Sequence, residues 1–133
     1  LSSLPHDLEN FNSLQELHLG HNHLGAALKE GRLRGLFHHL GLLQKLELRD
    51  NGITGVAPHQ WDSLRHLTTL GLSDNDIQSL ASASLNELPS LAVLVLADNR
   101  LRAVDVTSSH ELEHHVCMCP DITVKVTSII ITV

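Results

Sequence analysis

The densest group of reactive side chains in this sequence is His114-His115-Val116-Cys117-Met118-Cys119. Imidazole and thiolate are the ligands that zinc and copper prefer, so the run is the first candidate for chemistry. Its spacing matches no closed structural zinc pattern, and no second ligand pair follows before Val133. It therefore reads as a tail, and no metal ligands are assigned. Other histidines gather at His21 and His23, which flank Asn22, and at His38-His39. Side chains of this type titrate near pH 6, which would make binding acid-sensitive wherever a partner reads them. Nucleophilic catalysis finds no footing: there is no Gly-x-Ser-x-Gly elbow, no phosphate loop, and no Cys/His pair with an orienting acid. No catalytic residue and no cofactor are expected.

What must position these side chains is a repeated pattern. Leu-x-x-Leu-x-Leu-x-x-Asn-x-Leu/Ile occurs four times, at Leu14–Leu24, Leu43–Ile53, Leu67–Ile77 and Leu91–Leu101. Its asparagines are Asn22, Asn51, Asn75 and Asn99. Such self-similarity is the signature of a leucine-rich repeat, one strand per repeat lining a horseshoe. The fold expected is an α/β solenoid, with a curved parallel sheet on the concave face and short helices, 3₁₀ turns or loops on the convex face. In each strand the leucines point inward, and each asparagine turns its amide along the stack to bond backbone of the neighbouring turn.

The units divide as a half repeat over 1–13, repeats over 14–42, 43–66 and 67–90, and a fourth from 91 to about 104. The steps from Leu43 to Leu67 and from Leu67 to Leu91 are 24 residues, whereas Leu14 to Leu43 is 29. The extra residues fall within 25–36, where Ala26–Lys29 predicts a short helix bounded by Gly25 and Gly31. Insertions in repeat proteins often map to a binding face, so this segment is a candidate partner site alongside the concave wall. Residues 105–133 form a divergent tail. Its Asp121–Val133 stretch is β-prone and fits either an irregular cap or disordered, non-native sequence. With Leu1, Leu4 and Leu8 reading as the back half of an earlier repeat, the whole looks like a segment of something longer.

On the concave wall the variable strand positions make the ligand surface. The candidates are His18, His21, Lys45, Glu47, Arg49, Thr69, Ser73, Val93 and Val95. Polarity falls along the stack, from a charged, histidine-bearing end to the nearly apolar Ala92–Ala97. Lys45, Glu47 and Arg49 form a mixed-charge band suited to a protein partner's polar rim. Asp50, Asp74 and Asp98 stack beside the asparagines, where aspartate supports turns. A net charge of −6 excludes nucleic acid bound through a basic patch, and no apolar stretch of 18 residues is present to span a membrane.

The 24-residue form, with Phe37, Trp61 and Leu85 at equivalent places, resembles the leucine-rich repeats of extracellular animal receptors. The long repeat carrying Ala27-Leu-Lys-Glu-Gly31 is similar to those of Toll-like receptor ectodomains. That resemblance implies an innate-immune pattern-recognition receptor that binds a protein or microbial ligand and forms a receptor dimer. It implies a place outside the cell or in the endosomal lumen, as part of a membrane receptor. The family's transmembrane helix and signalling domain are not in this sequence. The rival expectation is an intracellular, cytoplasmic leucine-rich scaffold or regulatory protein.

Overall fold

The computed structural model describes residues 10–80, 85 and 87–101, together with the backbone of 103–106, 116–117 and 123–126. The expectations placed on Leu1, Leu4 and Leu8, and on the His114–His115 and Cys119 side chains, lie outside the described residues. The chain runs β1 (Glu16–His18), α1 (Gly25–Lys29), α2 (Arg34–Phe37), β2 (Lys45–Glu47), β3 (Thr69–Gly71), β4 (Ser79–Leu80), β5 (Val93–Val95), β6 (Ala103–Val106), β7 (Val116–Cys117) and β8 (Thr123–Val126).

Strands β1, β2, β3, β5 and β7 make one five-stranded parallel sheet in that order. Leu17 pairs with Leu46, Leu46 with Leu70, and Leu70 with Leu94. The strands are this short because each is one side of a coil turn, and a three-residue strand lets the chain bend back at once. Alternation sends Leu46 and Leu48 inward and leaves Lys45 and Glu47 facing out. Parallel neighbours require a crossover, which the return limb of each repeat supplies.

The leucine columns meet in one continuous core. Leu43, Leu67 and Leu91 are buried, as are Leu48, Leu72 and Leu96, and behind them Leu40, Leu64 and Leu88. Fully burying such a side chain contributes roughly 1.5–3 kcal/mol, so the repeated columns are what hold the stack together. The two largest core side chains, Phe37 and Trp61, stand on successive repeats with ring centroids 5.5 Å apart and planes tilted by 31°.

Two features add to the expected sheet with its short helices, 3₁₀ turns or loops. Past the asparagine turn, β4, β6 and β8 form a second parallel sheet, with Ser79 opposite Ala103 and Ala103 opposite Thr123. Beyond the fourth repeat, β7 adds to the main sheet with Leu94 opposite Val116, a step of 22 residues rather than 24. A period of 24 carried past Leu101 therefore misses this strand. In the long repeat, α1 begins at Gly25 and ends before Gly31, whose φ is +71°. A second helix, α2, follows it. Ala27, Leu28, Leu33 and Phe37 are buried, and the Leu28 carbonyl accepts a hydrogen bond from Ala57 N–H at 3.1 Å. Within the insertion Gly25, Ala27, Leu28 and Leu33 are thus core, and its outer face is open to a partner.

Candidate functional site: the concave wall and its flank

The turn that closes each strand determines what the concave wall presents. His21, Asp50, Asp74 and Asp98 take left-handed backbone, with φ of 58°, 52°, 54° and 55°. Among residues other than glycine, aspartate, asparagine and histidine tolerate that region best, which accounts for the residue types in this column. There the N–H of His21, Asp50 and Asp74 still bonds the next repeat, reaching Arg49, Ser73 and Ala97 carbonyls at 2.8–3.1 Å.

Immediately after it stands the asparagine ladder. The Asn51 amide nitrogen donates to Leu19 O in the preceding repeat at 2.9 Å and to Leu48 and Arg49 O in its own turn. Its oxygen accepts from Leu24 N–H at 3.2 Å. Asn75 reaches back in the same way to Leu48 O, and accepts from the N–H groups of Asn51 and Ile53 at 2.9 and 3.0 Å. Asn99 donates to Leu72 O at 2.8 Å and accepts from Ile77 N–H. Asn22 donates within its own turn, to Leu19 and Gly20 O. Only a primary amide offers donors and acceptor together for this role.

Against this frame the candidate side chains all fall on one wall. His18, His21 and Arg49 are exposed, and Lys45, Glu47, Thr69, Ser73, Val93 and Val95 are half-buried. His18 Nε2 lies 3.3 Å from Glu16 Oε2, and His21 Nδ1–H donates to Asp50 Oδ2 at 2.8 Å. The charged band is organised differently from the expected grouping of Lys45, Glu47 and Arg49. Arg49 pairs forward with Asp74 at 2.8 Å, and the Glu47 carboxylate lies down over Gly71. The reason is geometric: residues 47 and 49 share a strand direction, whereas the neighbouring repeat offers its own partners one strand-width away. These pairs are solvent-exposed, so they orient side chains more than they stabilise the fold. Val93 and Val95 occupy the apolar end, flanked by β3 on one side and β7 on the other.

The flank of the stack carries polar contacts that the sequence did not single out. Arg34 Nη2 pairs with Asp62 Oδ2 at 3.0 Å, His38 Nδ1 lies 3.0 Å from Ser63 Oγ, and His66 Nδ1–H donates to Gly41 O at 2.8 Å. Glu87 holds the turn before Trp61, accepting from His59 N–H at 2.6 Å and Trp61 N–H at 3.0 Å. Each joins residues 25–28 apart in sequence. Such pairs can be found from the repeat register alone only by comparing equivalent positions of neighbouring repeats. Among the described residues no three His, Cys, Asp or Glu side chains converge as a metal site, and no helix is long and apolar enough to cross a membrane.

A leucine rich repeat family model matches residues 34–77 and 65–114, and a second model of the same description matches 12–27. No curated protein matches the chain.

Proposed function

We propose, for a chain that belongs to the leucine-rich repeat family, that its concave wall binds a protein partner. Domains of this family generally mediate protein–protein interaction, and they are typically non-enzymatic. The observation that supports the concave wall is the graded row of outward side chains on a continuous hydrogen-bonded sheet. It runs from His18 and His21, through Lys45, Glu47 and Arg49, past Thr69 and Ser73, to the half-buried Val93 and Val95. Polar groups with an apolar end match the make-up of a protein interface, a core of apolar contact with a charged rim. Because His18, Lys45, Glu47, Thr69, Val93 and Val95 stand on strands, with His21, Arg49 and Ser73 just beyond them, little ordering cost is added on binding.

The narrower reading places this wall in a Toll-like receptor ectodomain, in the extracellular or endosomal space, with a protein or microbial ligand and a receptor dimer. The 29-residue repeat among 24-residue neighbours supports it. A photo-crosslinking residue installed in the full-length protein at Thr69, and separately at Lys29 on the outer face of α1, tests both levels. Crosslinks from Thr69 to a protein, with none from Lys29, support the concave wall; crosslinks confined to Lys29 overturn it. A secreted or microbial product at Thr69 favours the receptor, and a cytosolic protein favours the intracellular scaffold.

A further inference from the structure

We propose that Asn51 is a site of covalent modification: deamidation through a cyclic succinimide, suppressed by the asparagine ladder and released when the first and second repeats part. Two demands of the fold meet there at adjacent residues. The ladder needs an amide at position 51. The next residue takes φ of +64°, which favours glycine. The four ladder asparagines are followed by His23, Gly52, Asp76 and Arg100, so this rung alone carries an Asn-Gly pair, and no other occurs in the chain. Asparagine is a thermolabile residue, and a glycine after it leaves the attacking nitrogen unhindered by any side chain.

In the reaction the Gly52 backbone nitrogen attacks Cγ of Asn51, and the bond from Cγ to the side-chain nitrogen breaks. The proton lost by Gly52 N is relayed by water to the departing group, which leaves as ammonia. A second water then opens the ring at either carbonyl, giving aspartate or isoaspartate, with no oxidant or reductant involved. The fold opposes the first step. Asn51 is 2% exposed, so the leaving nitrogen is shielded from water. That nitrogen donates to Leu19, Leu48 and Arg49 O at 2.9, 3.1 and 3.1 Å, and the amide oxygen accepts from Leu24 N–H at 3.2 Å. A planar amide makes these bonds, and a tetrahedral Cγ gives them up. Those to Leu19 and Leu24 cross to the first repeat, as does the bond from Gly25 N–H to Asn51 O at 3.0 Å. Parting of the two repeats thus loosens the amide and admits water together. The products do not close the seam again. Aspartate has no donor for Leu19, Leu48 or Arg49 O. Isoaspartate adds a backbone carbon before Gly52, whose carbonyl already lies against Gly25. The change is one-way, and it detaches His18, His21 and α1 from the rest of the stack.

The test incubates the full chain in mildly alkaline buffer, with and without urea, and follows amide-to-acid conversion by peptide mapping, with isoaspartyl methyltransferase labelling the isoaspartate. Asn12, exposed and followed by Ser13, is the internal reference. Relative to Asn12, Asn51 is expected to react at least about tenfold more slowly in the folded chain than in unfolding urea, because only the opened state reacts. In the folded chain the Asn51 rate should climb at urea concentrations below the global midpoint, and Gly25→Ala, which disturbs the seam while keeping Asn51-Gly52, should raise it without urea. The urea series on the parent chain decides the matter even where that variant fails to fold. In chains modified at 51, amide exchange at Leu24 and Gly25 should quicken while Ile77, bonded to Asn99, keeps its protection. Equal rates at Asn51 in the folded and unfolded chain overturn the proposal, as does an unreactive Asn51 in urea. A rate that rises only at the global midpoint would remove the seam as the gate, and unchanged exchange at Leu24 and Gly25 would refute the one-way detachment.

Discussion

The carboxylate of Glu47 occupies the volume that a side chain at Gly71 would need. One glycine on β3 thus allows an acidic side chain on β2 to lie flat across the sheet instead of standing into the concave space. Gly71→Ala is expected to lift Glu47 off the wall. The obstacle is the mobile end of a side chain, so stability should change by less than about 0.5–1 kcal/mol. Ligand affinity at the wall should change more than the melting temperature does; a large fall in melting temperature would show that the two strands cannot adjust.

Gly25 is the opposite case. A Cβ there would overlap the backbone carbonyl of Gly52 in the next repeat, and neither partner is a flexible side-chain end. Gly25→Ala is expected to cost about 1–3 kcal/mol through forced backbone movement. Gly35→Ala, in α2 with open space around it, should be neutral or gain about 0.5–1 kcal/mol from helix propensity. Urea unfolding of the two variants side by side would decide, and equal effects would contradict the packing described.

Asn75 makes its contacts from a position that is 6% exposed. Asn75→Ala strips partners from buried N–H and C=O groups of two repeats, at a cost of about 1–3 kcal/mol or more. Asn75→Asp keeps an acceptor but loses the donors to Leu48, Leu72 and Ser73 O, and should not restore stability. Full recovery in the aspartate variant, read from the denaturation midpoint, would show that the donors are dispensable.

Gln60 is 1% exposed, and neither its amide nitrogen nor its oxygen has a hydrogen-bond partner among the described residues. Burying an unsatisfied amide costs about 1–3 kcal/mol, so the near-isosteric Gln60→Met should stabilise the domain by about that amount. The midpoint of denaturation should rise with no change in its slope. A fall would mean that the amide is satisfied in solution by a partner such as bound water.

The stack was legible in the sequence because its leucine and asparagine positions serve the same contacts in every turn. Repetition exposes such positions even within one chain, and the register from Leu17 to Leu94 follows the motif residue for residue. The short helix at Ala26–Lys29 was legible from its bounding glycines. What escaped was whatever depends on one residue meeting one non-repeating neighbour. Arg49 turning to Asp74 and Arg34 meeting Asp62 are set by side chains that differ from unit to unit. The second sheet escaped for another reason, since a two-residue strand such as Ser79–Leu80 carries too little alternation to be read.

The asparagine ladder has a consequence for how such a molecule can change. Asn51 reaches Leu19 O across 32 residues, and Asn75 reaches Leu48 O across 27, yet both make the same bond. The rungs are indifferent to how much chain passes between them. Segments can be added or lost on the outer side of a repeat while the inner wall stays aligned, so the two surfaces are free to diverge under separate selection.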